Sequence, residues 1–131
     1  MINDHISDMI TRLKNASAMR KKTVSMPHTK VLVAIAKVLQ DEKYIAKYEV
    51  IDEGVTHKQL VITLSYKEDV AAISSIKRVS KPGVRIYKSV DNMKPVLSGM
   101  GTAVVSTSKG IMSLRQAKIA KIGGEVLLEL W

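Results

Sequence analysis

The chain has 131 residues, 46% of them hydrophobic and none of them cysteine, and its 21 lysines and arginines outweigh 12 aspartates and glutamates for a net charge of +9. That length fits one compact domain or two small halves, and without cysteine there are no disulfides, thiol nucleophiles or thiolate metal sites. No apolar run approaches the ~20 residues of a membrane span, and Met1 to His5 lacks the basic and apolar regions of a signal peptide, so an unexported, cytoplasmic protein is expected.

In chain order, Ile6, Met9, Ile10 and Leu13 follow the spacing of an amphipathic helix. Asp4 or Asn3 caps it, with Asp8 near its start and Arg12 and Lys14 near its end, a charge order that suits the helix dipole. Arg20-Lys21-Lys22 forms a basic turn, and Thr23 to Met26 reads as a short strand ended by Pro27. Thr29 is placed to cap a second helix that carries Val31, Leu32, Ile35, Val38 and Leu39 on one face. Tyr44 to Asp52 is strand-like, Glu53-Gly54 turns, and Leu60, Ile62 and Leu64 alternate with polar or β-branched neighbours as in a half-buried strand.

A composition shift at Glu68-Asp69 sets the expected boundary between residues 1–69 and 70–131. Beyond it, Ile73 to Ser80 and Val84 to Lys88 flank Lys81-Pro82-Gly83, whose proline and glycine suit a type II turn. The expectation is a β-hairpin carrying Lys77, Arg78, Lys81, Arg85 and Lys88. Asp91 caps a short helix with Pro95 in its first turn, and Gly99 and Gly101 stop it. Thr102 to Thr107 is the next strand, Arg115 to Lys121 a short basic helix ended by Gly123-Gly124, and Glu125 to Trp131 a final apolar strand. The fold class is α+β. Two small α/β subdomains are expected: an N-terminal α-β-α-β-β unit and a mainly β C-terminal unit with short helices.

The charge is uneven. Residues 1–69 hold eleven basic and nine acidic side chains, and residues 70–131 hold ten and three. A basic half on a folded chain points to a polyanionic partner, nucleic acid before a membrane surface. Its densest polar stretch is Ser106-Thr107-Ser108-Lys109-Gly110, directly after an apolar strand. Hydroxyls, exposed amides and lysines are the groups that contact phosphates and 2′-hydroxyls, although a polar turn closed by its own side-chain bonds has the same composition. With no Phe, four Tyr and one Trp, the chain lacks the aromatic platform of a single-strand binder. Structured RNA, read by shape, fits better.

Catalytic readings of the same residues fail. Ser106-Thr107-Ser108-Lys109 satisfies Ser-x-x-Lys, but the Ser-Asp-Asn and Lys-Thr-Gly elements of penicillin-recognising enzymes are absent. Lys109 precedes its glycine instead of following one, so this is no phosphate loop, and Gly99-Met100-Gly101 is followed by Val104 where a dinucleotide fingerprint needs its third glycine. His5, His28 and His57 have no partner at metal-ligand spacing. Neither an enzyme nor a bound cofactor or metal is expected.

Three stretches resemble a known family, bacterial small-subunit ribosomal protein eight: Arg78 to Tyr87 (RVSKPGVRIY), Ala103 to Gly110 (AVVSTSKG) and Gly123-Gly124-Glu125. Asp8 to Arg12 and the helix from Lys30 to Asp41 are similar to its N-terminal half, so the likeness runs end to end. The resemblance implies a ribosomal protein without enzymatic activity that binds the central domain of 16S rRNA directly and helps organise the 30S platform. It implies neighbouring small-subunit proteins as partners and, in some bacteria, repression of the protein's own operon through a similar messenger RNA structure. It also implies an α/β N-terminal domain and a mainly β C-terminal domain that carries the principal RNA surface. By position, Ser106, Thr107, Ser108, Lys109, Gly124, Glu125 and Tyr87 would line that surface, with Thr29 and Lys30 as additional contacts. From the residues themselves, Gly110, Arg78, Lys81 and Arg85 join the expected RNA-binding set.

Overall fold

The computed structural model describes residues 4–52 and 58–131, with Ser98 described by its backbone alone. The expected cap Asn3, the Glu53-Gly54 turn and His57 lie outside the described residues. The chain divides into two compact units that meet in sequence between Ile73 and Ser74.

In the first unit, helix α1 (His5–Ala18) starts where the Asp4 carboxylate accepts from the Ser7 amide and buries Met9, Ile10, Leu13 and Ala16. The helix runs a full turn past Leu13, which places Arg12 and Lys14 mid-helix and leaves no basic residue in the last turn. Arg12 does different work from dipole compensation. Its Nε pairs with Asp8 at 2.9 Å and its Nη1 donates to the Ser25 carbonyl at 2.9 Å, which ties the helix to strand β1 (Thr23–Pro27).

Helix α2 (Lys30–Asp41) begins at Thr29, whose hydroxyl accepts from the Leu32 amide at 3.1 Å and satisfies one of the first-turn donors. Leu32, Ile35, Val38 and Leu39 form its buried face as expected, but Val31 is exposed and Ala36 is buried instead. Strands β2 (Ile45–Asp52) and β3 (Lys58–Leu64) complete an antiparallel sheet in the order β1-β3-β2. Leu60, Ile62 and Leu64 are buried, and Met26 and Val24 stand opposite Leu60 and Ile62, so one face of the pleat is apolar. Both helices pack on this sheet.

The composition shift at Glu68-Asp69 falls inside a small hairpin of β4 (Tyr66–Lys67) and β5 (Val70–Ala71). Glu68 and Asp69 both take positive φ, +52° and +65°, as a two-residue hairpin turn matching strand twist requires.

The second unit is built on a sheet ordered β6-β10-β8-β9, with β7 also paired to β10. The strands are β6 (Ile76–Arg78), β7 (Tyr87–Lys88), β8 (Thr102–Thr107), β9 (Gly110–Ser113) and β10 (Gly124–Leu130). A bulge between Val126 and Leu128 interrupts the register of β10 with β8. It breaks the two-residue alternation there, and Val126, Leu127 and Leu128 are all buried. Met93, Val96, Ala103, Val105, Leu114, Ala117 and Val126 form the core cluster on one face.

Helix α3 (Leu114–Ala120) crosses back over β8 and β9. Its start is a capping box: the Ser113 hydroxyl accepts from the Gln116 amide and the Gln116 side chain accepts from the Ser113 amide.

Three expectations are corrected in this unit. Residues 73–80 and 84–88 are not the two arms of a hairpin. β6 and β7 each pair antiparallel with β10, β6 at Leu128–Leu130 and β7 at Gly124–Glu125. They therefore run the same way along one edge, and residues 81–85 loop out of a continuing strand. The type II turn is present within that loop, with mutual Lys81–Val84 backbone bonds of 2.9 Å and Gly83 at φ +86°. It reverses the chain only locally because β10, buried along most of its length, offers the longer pairing edge.

The helix expected after Asp91 is two 3₁₀ turns, Val90–Asn92 and Val96–Gly99. Pro95, at φ −58° and ψ 140°, keeps the chain extended between them, because proline removes a donor and disfavours helix in the residue before it. Gly123-Gly124 does not stop α3. Lys121 does, in the left-handed conformation at φ +57°, and the glycines serve the sheet.

Candidate nucleic-acid interface

The serine-rich run is a hairpin tip. Ser106 and Thr107 end β8, Ser108 and Lys109 turn, and Gly110 begins β9 opposite Thr107. Gly110 takes φ +109° with open space where a Cβ would stand, so glycine is required there by backbone conformation and not by crowding. The Thr107 hydroxyl donates to the Gly110 carbonyl at 2.8 Å and accepts from the Lys109 amide at 3.1 Å. This hydroxyl locks the turn. Ser106 and Ser108 make no side-chain hydrogen bond among the described residues, and Ser108 and Lys109 are exposed at the tip.

Strand register assembles the rest. Tyr87 on β7 lies opposite Glu125 on β10, and Glu125 lies opposite Ser106 on β8. The next residues along, Val126 and Val105, pair with each other and belong to the core cluster. By the alternation of the pleat, the Tyr87–Glu125–Ser106 row occupies the face away from that core. Tyr87 is 70% exposed. Sequence positions 87, 106 and 125 thus become neighbours only because three strands meet.

Gly124 is what allows the closest approach. A Cβ there would sit 2.2 Å from the Ser106 carbonyl oxygen, 3.0 Å from its carbon and 3.2 Å from the Thr107 Cα. Gly123 is similarly confined by the Lys88 carbonyl at 2.6 Å.

Glu125 faces a cation of its own. Its Oε2 accepts from Arg85 Nη1 at 3.1 Å, and its side chain is 14% exposed against 50% for Arg85. Arg85 reaches it from the 81–85 loop, and Ser80 closes that loop's neck. The Ser80 hydroxyl is fully buried, accepts from the Ile86 amide at 2.8 Å and donates to the Ile86 carbonyl at 3.2 Å. Val126 joins from β10, donating to the Ile86 carbonyl at 3.0 Å while its own carbonyl accepts from the Ser80 amide at 3.1 Å. Arg78 Nε donates to the Ser80 carbonyl.

Replacing Ser80 by alanine leaves the Ile86 amide without its acceptor, and such a loss costs about 1–3 kcal/mol. A urea titration of Ser80→Ala is expected to show that decrease, and an unchanged midpoint would remove Ser80 from this role.

Of the residues expected from sequence, the structure gathers Tyr87, Ser106, Thr107, Ser108, Lys109, Gly110, Gly124 and Glu125, and joins Arg85 through its ion pair. Lys81 stands on the exposed loop. Arg78, half-buried, donates from its Nε to the Ser80 carbonyl at the loop's neck. Thr29 and Lys30 lie in the first unit, where the Thr29 hydroxyl caps α2 and Lys30 is exposed. Two residues escape a reading of the sequence as a site. Ser80 carries no sequence signal, because its importance lies in the loop neck. Lys88, exposed and opposite Gly124, was legible as one more basic residue but not as a neighbour of this row.

An exposed serine, lysines and an exposed tyrosine carried on paired strands make a surface of the kind that suits a polyanion. Comparison with known proteins gives the family. A family model described as Ribosomal protein S8 matches residues 4–131. The small ribosomal subunit protein uS8 of Coxiella burnetii (strain RSA 331 / Henzerling II) is 52% identical over 128 residues, 97% of each chain. That of Mycoplasmopsis synoviae (strain 53) is 45% identical over 130 residues, 99% of this chain and 98% of its own. That of Colwellia psychrerythraea (strain 34H / ATCC BAA-681) is 50% identical over 127 residues, 97% of each. The chain belongs to the ribosomal protein S8 family.

Proposed function

We propose that this protein works in the cytoplasm as a component of the small ribosomal subunit, binding the central domain of 16S rRNA directly and helping to order the platform around it. The observation that carries this reading is the Tyr87–Glu125–Ser106 row with the Ser108-Lys109 tip beside it. Family membership and the +7 charge of residues 70–131 support it.

The residues divide the work by their chemistry. Lys81, Lys88 and Lys109 neutralise phosphates, and the counterions released supply affinity. Ser106 and Ser108, whose hydroxyls are not used internally, supply positional hydrogen bonds worth about 1 kcal/mol each. Tyr87 offers a face for one unstacked base, in keeping with RNA recognition at loops and bulges. Thr107 and Gly110 act by holding the tip. A messenger RNA of the protein's own operon would compete for the same surface where it presents the same shape, and neighbouring subunit proteins adjoin it in the assembled particle.

Footprinting on purified 16S rRNA tests the reading, with protection expected at one structured locus of the central domain. Lys109→Ala is expected to weaken matched and mismatched RNA alike and to reduce the salt slope by about 1. Ser108→Ala is expected to reduce discrimination several-fold with the slope unchanged. If both variants changed only the slope, the serines would have no recognition role.

A further inference from the structure

The row of Tyr87, Glu125 and Ser106 depends on a very short strand. β7 is two residues long, Tyr87 and Lys88, both exposed and paired with Glu125 and Gly124 of β10. Strands in globular proteins commonly run five or six residues. Two pairs hold a strand weakly, so its ends decide where its side chains stand. The entry to β7 is fastened at Ile86 by Ser80 and Val126. The exit is fastened by a different set of residues.

The chain leaves Lys88 through Ser89, in extended backbone at φ −72° and ψ 160°, and enters the 3₁₀ turn Val90–Asn92. Asn92 bonds Ser89 twice: its amide donates to the Ser89 carbonyl and its Nδ2 donates to the Ser89 Oγ, each at 3.0 Å. The next residue, Met93, is buried in the core cluster and anchors the turn. On the β10 side the chain rests on Gly123, where a Cβ would stand 2.6 Å from the Lys88 carbonyl oxygen and 3.0 Å from the Ser89 Cα. Ser89 is held between a glycine that lets it approach β10 and an asparagine that closes its turn.

A bond between polar side chains in a turn is often of local consequence only. Here the backbone that it fixes runs directly into Lys88 and Tyr87. Ser89 and Asn92 are both exposed, so their bond adds little to core packing. Its effect falls on the register of β7.

We propose that Ser89 and Asn92 are positioning residues for RNA binding. Their bond fixes the exit of β7 against Gly123 and so holds Tyr87 and Lys88 beside Glu125 and Gly124. The inference rests on the reading of the protein as an RNA binder. Neither residue touches RNA in this role. They act by ordering Tyr87 and Lys88 before RNA arrives, which lowers the ordering cost of the contact.

The test uses the full chain with Ser89→Ala, Asn92→Ala and the double variant. Each single variant is expected to bind 16S rRNA about 3- to 5-fold more weakly, and the double variant no more weakly than either, because both remove the same bond. The salt slope is expected to stay at the wild-type value, since no charge is lost, whereas Lys88→Gln reduces it by about 1. Amide hydrogen exchange in the free protein gives the readout that a general loss of stability would not produce. Exchange at the β7–β10 pair is expected to quicken about tenfold in both single variants while exchange in β8 keeps its wild-type rate.

No RNA binding by the wild-type chain would sink the broader reading together with this one. Wild-type binding that responds to Lys109→Ala but not to Ser89→Ala or Asn92→Ala would overturn the positioning role alone. Weaker binding by Asn92→Ala but not by Ser89→Ala, with exchange at β7 unchanged, would overturn it too and make Asn92 a direct RNA contact. Faster exchange throughout the second unit would reduce both residues to general stability.

Discussion

Gly124→Ala is expected to lower the melting temperature by roughly 10 °C or more and to abolish RNA binding at temperatures where the wild type is active. The residue needs glycine for space. Its missing Cβ would lie 2.2 Å from the Ser106 carbonyl oxygen, and that oxygen belongs to the pair that ends the β8–β10 ladder, where Glu125 stands opposite Ser106. Backbone in a paired strand cannot turn aside as a side-chain end can, so the cost reaches or exceeds the upper part of the ~1–3 kcal/mol typical of overpacking.

Gly110→Ala provides the contrast. There the Cβ meets nothing, and only the φ of +109° resists it, for about 1–2 kcal/mol. Differential scanning calorimetry of the two variants decides the matter. If Gly124→Ala melted no lower than Gly110→Ala, the close approach of β10 to β8 would be wrong.

Arg85→Ala is expected to weaken RNA binding about 10- to 100-fold, more than Lys109→Ala does, although both remove one positive charge. The difference comes from Glu125. With Arg85 in place, the carboxylate is paired at 3.1 Å and the pair presents little net charge to RNA. Without Arg85, a mostly buried carboxylate stands beside Tyr87 and Ser106 and repels the phosphates. Truncating one partner of such a pair costs more than the pair contributes, because the other charge is left uncompensated.

The double variant Arg85→Ala/Glu125→Gln is therefore expected to bind better than Arg85→Ala alone, recovering about tenfold, and a double-mutant cycle measures the coupling. A double variant no better than the single one would mean that Arg85 acts only as an independent phosphate contact.

Much of the first unit was legible in order of residues because its signals are local. The Thr29 cap, the apolar stripe of α2 and the alternation of Leu60, Ile62 and Leu64 each depend on side chains within a few positions of one another. The length of α1 was less legible. Its apolar stripe extends to Ala16, and alanine marks a buried face weakly.

In the second unit the local signals were present but their partners were not. Lys81-Pro82-Gly83 announced a turn, and the turn formed. Nothing near it told that both flanking segments would pair with β10, some forty residues on, instead of with each other. Strand β9 was missed for a related reason: Gly110 to Ser113 is too short to show a period, and it is a strand because β8 lies beside it.

The amino-acid sequence alone determined the α+β class, the two caps, the basic second half and the stretch from Ser106 to Gly110 as its polar focus, since composition and short-range periodicity need no knowledge of distant contacts. Only the tertiary structure decided which of those polar groups are free. It spent the Thr107 hydroxyl on the turn, directed the Arg78 Nε to the Ser80 carbonyl, paired Glu125 with Arg85, left Ser108 and Tyr87 exposed and left Ser106 half-buried with its hydroxyl unused among the described residues. Hydrogen-bond capacity is satisfied by whichever groups the folded chain brings within about 3 Å, and strand register, not residue type, sets those distances.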